Sequence, residues 1–160
     1  MNGFRIEQAE ESDLPVILSF IRQLAEYERL SDAVTANEDV LGESLFGVRP
    51  AAEVVIGYDG EVPVAFAVFF QSFSTFLGKP GIYLEDLFVI PEARGRGFGR
   101  AMLVYLAKLT HDRGFGRLEW SVLDWNEPAI DFYRKLGAAP LDDWTMFRLT
   151  GDALKRLAGS

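Results

Sequence analysis

The chain has 160 residues, 49% of them hydrophobic and 13% aromatic, which suffices for one domain with a substantial core. A net charge of −8 argues against a general nucleic-acid binder, and no apolar run reaches the length needed to span a bilayer. Cysteine is absent and histidine occurs once, at His111, so disulfides, thiolate chemistry and a metal centre are not expected, and a cytoplasmic location is.

In chain order, FRIEQA (Phe4 to Ala9) alternates as a first strand. Ser12 or Asp13 then caps a helix to about Arg29, with Leu14, Ile17, Leu18, Ile21, Leu24 and Ala25 at helical spacing. Thr35 and Glu38 form a capping-box pattern for a shorter helix ending near Gly47. Glu53 to Tyr58 and Val62 to Ser72 read as a hairpin turned at Asp59-Gly60. Gly78, Pro80 and Gly81 predict a loop before the next strand, Ile82 to Ile90. A helix follows from about Gly99 to Asp112, then a strand from Arg117 to Leu123. Asn126 caps a helix with Pro128 in its first turn and Gly137 just past its end. Trp144 to Leu149 predicts a last strand, and Asp152 to Leu157 a terminal helix. This order predicts a three-layer α/β domain over residues 1–160, a mixed central sheet with helices on both faces.

Charge is distributed unevenly. Residues 1–61 hold 13 acids and 4 bases, whereas residues 62–160 hold 11 acids and 12 bases. Between Ala93 and Ala107 lie three arginines and no acid. That segment, ARGRGFGR, joins a strand to a helix, where backbone N–H groups and the helix N-terminus make an anion site. Gly95, Gly97 and Gly99 let the backbone approach phosphate oxygens, and Arg94, Arg96 and Arg100 supply charge. The nucleoside-triphosphate loop needs a Lys-Ser or Lys-Thr that is missing here. The dinucleotide fingerprint needs a different glycine spacing on an opening βαβ unit.

Alternation puts Tyr83, Glu85, Leu87 and Val89 on one face of the strand and Leu84, Asp86, Phe88 and Ile90 on the other. Two adjacent carboxylates on a central strand are costly for folding alone. For Asp86, pairing with a base or with a backbone amide is the competing structural reading.

Arg94-x-x-Gly97-x-Gly99 after an apolar strand resembles the pyrophosphate loop of GNAT-type N-acetyltransferases. The stretches IRQLAEYERL, YLEDLFVIPEARGRGFG and DWNEPAIDFYRKLGA extend the resemblance over nearly the whole chain, toward the diamine (spermidine/spermine) branch. The resemblance implies direct acetyl transfer from acetyl-CoA to the primary amine of a small cationic acceptor, in a ternary complex. It implies Glu85 as proton acceptor and Tyr133 as proton donor to the departing thiolate. Leu87, Phe88, Val89, Arg94, Gly95, Arg96, Gly97, Phe98, Gly99, Arg100, Asn126, Pro128 and Ala129 would contact the cofactor. Tyr27, Glu28, Glu85, Glu119, Trp120, Ser121 and Asp142 would line the amine pocket. Ser74 and Phe76 stand where polyamine-specific relatives carry an acid and a tryptophan, which disfavours spermidine and spermine. A homodimer is expected by the same resemblance, with no nucleic acid, membrane or metal partner. The rivals are a protein N-terminal or lysine acetyltransferase of this fold and a non-catalytic CoA-binding module.

Overall fold

Five strands form a single sheet in the order in which the chain makes them, β1-β2-β3-β4-β5, in a computed structural model that describes residues 3–160. They are β1 (Phe4–Gln8), β2 (Glu53–Asp59), β3 (Val62–Ser74), β4 (Lys79–Val89) and β5 (Leu118–Trp120). The first four run antiparallel to their neighbours, while β5 pairs parallel to β4 over only three residues, Ile82 to Leu84. The helices are α1 (Leu14–Tyr27), α2 (Glu38–Phe46), α3 (Phe98–Asp112), α4 (Glu127–Lys135) and α5 (Gly151–Ala158). Residues up to Ser121 make one compact unit and Val122–Ser160 a second.

In the first unit the sheet carries helices on both faces, as the three-layer reading requires. Ile17 and Phe20 of α1 pack on Val54, Ile56, Phe66, Val68 and Phe88, with the Phe20 ring stacked on Phe66 at 5.1 Å. Gly57, one residue on from Ile56, faces the opposite side, toward Phe4 and Met102 of α3. There Phe4 stacks on Phe98 at 4.4 Å. A Cβ at Gly57 would come within 2.8 Å of the Phe4 ring and 3.2 Å of Met102 Sδ. Gly57→Ala is therefore expected to destabilise the fold by about 1–2 kcal/mol, because the stacked ring must move. Urea unfolding measures this, and an unchanged midpoint would show that the α3 face packs more loosely.

Several predicted elements shift. Asn37, not Thr35, caps α2: its Oδ1 accepts the Val40 N–H at 2.9 Å, which makes Glu38 the first helical residue and not the third. The loop predicted around Pro80 and Gly81 is strand, since β3 runs to Ser74 and β4 begins at Lys79. Gly81 fits there because a Cβ would lie 2.7 Å from the Arg117 carbonyl oxygen. β5 is shorter than the predicted Arg117–Leu123. Trp144 to Leu149 is not a strand: it pairs with no other strand among the described residues and is exposed throughout. A strand pattern yields a strand only where a neighbour takes its backbone groups.

Candidate active site

β4 carries the two carboxylates, and its register explains their exposure. Val68 pairs with Asp86 and Phe69 with Leu84, so Glu85 is the extra residue of a β-bulge. A bulge breaks the two-residue alternation, and the simple two-face assignment of Glu85 and Asp86 fails at this point. Glu85 is exposed, while Asp86 is half-buried. Burial, then the charges of Glu85 and Glu28, push the Asp86 carboxyl up to about 6. Glu28, just past the end of α1, is also raised by burial. No lysine or arginine forms an ion pair with Glu28, Glu85 or Asp86 among the described residues. Three carboxylates without a paired base share one field, which favours a cation beside them. Among the described residues, the competing reading of Asp86 as the partner of a base is not realised.

Tyr27 precedes Glu28 at the C-terminus of α1. On β5, Glu119 is engaged by Arg117 Nε at 3.1 Å, and the Ser121 hydroxyl lies 2.9 Å from Tyr83 Oη. Trp120 is half-buried beside them in the sequence. The β4–β5 ladder stops at Leu84, so on that side no strand pairs with Glu85 to Val89 among the described residues. The backbone of Leu87, Phe88 and Val89 is thus offered along an open edge. Ser74 is buried, and its hydroxyl accepts the Leu77 N–H at the tip of the β3–β4 hairpin, while Phe76 is fully exposed.

The loop after β4 has the geometry of an anion cradle. Gly95 and Gly97 have φ of 77° and 84°, a conformation that L side chains resist, and Gly97 caps α3. The first N–H groups of α3, from Phe98, Gly99 and Arg100, therefore open onto the loop without helical partners. The three arginines are used differently. Arg96 pairs with Asp59 at 2.7 Å and lies over Phe98. Arg94 donates from Nε to the Val89 carbonyl and lies over Tyr27 and Phe88. The Arg100 side chain is exposed and makes no hydrogen bond or ion pair among the described residues, so its charge is available to an anion.

In the second unit, Tyr133 is half-buried on α4, its ring 5.7 Å from that of Phe132. Asn126 is buried and accepts the Ala129 N–H at the start of that helix, with Pro128 in its first turn. Asp142 lies in the exposed run 141–150.

A mixed sheet with one open strand edge, a glycine-arginine loop at a helix N-terminus and unpaired carboxylates suits an anionic ligand at the loop and a cationic one at the acids. Residues 18–138 match the acetyltransferase (GNAT) family, across both units, and the chain belongs to that family. It is an acetyl-CoA-dependent N-acetyltransferase. It is 40% identical to the bovine (Bos taurus) thialysine N-epsilon-acetyltransferase, over 96% of each chain. It is 32% identical to the Arabidopsis thaliana L-ornithine N5-acetyltransferase NATA1, over 96% of this chain and 87% of the relative. Its fold superposes on the Vibrio cholerae integron cassette protein VCH_CASS6 with a TM-score of 0.84, covering all of both chains at 25% identity.

Proposed function

We propose that the acceptor is a small amine with a second charged group, of the size of a basic amino acid side chain and not a polyamine. The observation that carries this reading is the set of Glu28, Glu85 and Asp86, unneutralised by any base and gathered where α1 ends against β4. Two further facts support the size. Ser74 is occupied with the hairpin turn and offers no cation anchor, and relatives are named for thialysine and ornithine.

In this reading Glu85 takes the proton that the amine must lose before it can attack, since a lysine-like amine is protonated below about pH 10. Asp86 and Glu28 hold the cationic remainder, with Tyr27, Trp120, Ser121 and Glu119 around it. The acyl donor supplies the activated thioester. The loop from Gly95 to Gly99 with Arg100 would hold its pyrophosphate, with Phe98 as the first residue of the helix behind it. Arg96 shapes that loop through its contacts with Asp59 and Phe98. The open backbone of Leu87 to Val89 would lie along the donor's arm, with Asn126, Pro128 and Ala129 on the donor side of α4. Tyr133 returns a proton to the leaving thiolate. With no cysteine and no serine near the lone His111 in the sequence to carry the acyl group, the reading is direct transfer.

Initial velocities with both substrates varied test the mechanism: intersecting lines are expected, and parallel lines would contradict direct transfer. Arg100→Ala is expected to weaken CoA binding by about tenfold or more, as loss of a charge-assisted hydrogen bond does. Calorimetric titration with CoA measures it, and an unchanged affinity would remove Arg100 from the anion site.

The reading includes a homodimer in the cytoplasm. Trp144, Met146 and Phe147, exposed at 80%, 77% and 91%, support an apolar contact surface. Sedimentation equilibrium of the wild type and Phe147→Asp tests it, a monomeric wild type being the contrary result.

A further inference from the structure

Arg94 belongs by position to the anion loop, yet its side chain is committed elsewhere. Its Nε donates to the Val89 carbonyl oxygen at 2.9 Å. Its guanidinium carbon lies 4.9 Å from the Tyr27 ring centroid and 5.3 Å from that of Phe88. One planar cation thus joins the loop, the end of β4 and the last residue of α1. To reach an anion in the loop it would have to leave two ring faces and a carbonyl, whereas Arg100 need leave nothing.

The end of α1 is itself held in a demanding conformation. Leu30 N donates to Ala25 O at 2.8 Å and Arg29 N to Glu26 O at 3.1 Å, the pattern of a Schellman closure. Arg29 sits at its left-handed position with φ 62°, the non-glycine residue with positive φ among the described residues. Glu28 lies between Tyr27 and this closure, close enough for its charge to act on Asp86. A small displacement of Tyr27 would carry Glu28 with it and change the spacing of the acidic site.

We propose that Arg94 is a positioning residue for the amine: by stacking on Tyr27 while bonded to Val89, it fixes the end of α1, and so Glu28, against Glu85 and Asp86. The assignment rests on the amine site described under Proposed function. It separates Arg94 from Arg100, although both lie in the same loop.

The test compares wild type, Arg94→Gln, Arg94→Lys, Tyr27→Leu and the Arg94→Gln/Tyr27→Leu double variant. Amine KM and kcat with thialysine at saturating acetyl-CoA are read beside CoA affinity by calorimetry, with thermal unfolding to verify folding. Arg94→Gln is expected to raise amine KM about tenfold, with kcat and CoA affinity within about threefold of wild type. Arg94→Lys should follow the Gln variant, because an ammonium cannot span both rings and reach the carbonyl. The double variant should raise KM no further than Tyr27→Leu alone. Weakened CoA binding with unchanged amine KM would overturn the proposal and make Arg94 an anion ligand. So would additive effects of the Arg94 and Tyr27 changes. A wild type that turns over no amine would instead refute the acceptor assignment; amine titrations by calorimetry in the presence of CoA would then still decide whether Arg94 controls amine affinity.

Discussion

Tyr133→Phe is expected to lower kcat by about 10²–10³-fold while leaving both substrate affinities within about threefold, because a positioned general acid contributes on that scale. The change removes one oxygen and keeps the ring, so the half-buried packing of α4 is preserved. Without a proton donor, the departing thiolate must leave as an anion, and the tetrahedral intermediate reverts to reactants more often. Steady-state kinetics with a good acceptor amine, together with CoA affinity by calorimetry, would measure the effect. A kcat within fivefold of wild type would remove Tyr133 from the chemistry and leave it as a packing residue.

Asp86→Asn is expected to stabilise the protein at pH 8 and to bring no gain at pH 4. The carboxyl titrates at about 6 in the folded chain, above its ordinary value, first because it is buried and then because Glu85 and Glu28 lie near. A raised acid holds its proton more tightly when folded, so its favourable contribution is complete below about pH 4 and is lost as pH rises through about 6. At pH 8 the loss amounts to about 2–3 kcal/mol, which asparagine would recover in part. A bound cation offsets the same cost, because it favours the ionised form. Stabilisation of the wild type by a cationic amine should therefore grow from pH 5 to pH 8 and be much reduced in the Asn variant. Urea unfolding across this range, with and without amine, reads both effects. Equal stability of the two proteins at pH 8 would show that Asp86 is not held at a cost. The carboxylate would then have no need of a ligand cation.

Much of the fold was legible because its periodicities are long. The α1 positions from Leu14 to Ala25 and the apolar strands around Phe66 and Phe88 leave little choice of partner. The cap at Asn126 and the glycine loop were equally plain, since their chemistry is local. What escaped was set by pairing between distant residues. The bulge at Glu85 depends on the register between Val68 and Asp86, and alternation along one strand cannot reveal it. The shift falls at the two carboxylates, of which Glu85 is exposed and Asp86 half-buried. The three arginines looked equivalent in ARGRGFGR, but Asp59 and Tyr27, both remote in sequence, engage two of them. Trp144 to Leu149 has a strand's pattern, and its apolar side chains stand exposed, because a pattern alone supplies no neighbouring strand.

Every residue role given to this chain serves one reaction, acetyl transfer to a small cationic amine. Its most direct test is CoA release from acetyl-CoA across thialysine, ornithine, lysine, putrescine, spermidine, spermine and a basic peptide. Turnover is expected on thialysine, ornithine or lysine, with the polyamines at least about tenfold poorer in kcat/KM because one cation anchor is missing. Tight CoA binding with no turnover on any amine, or turnover confined to the peptide, would contradict a small-amine acceptor.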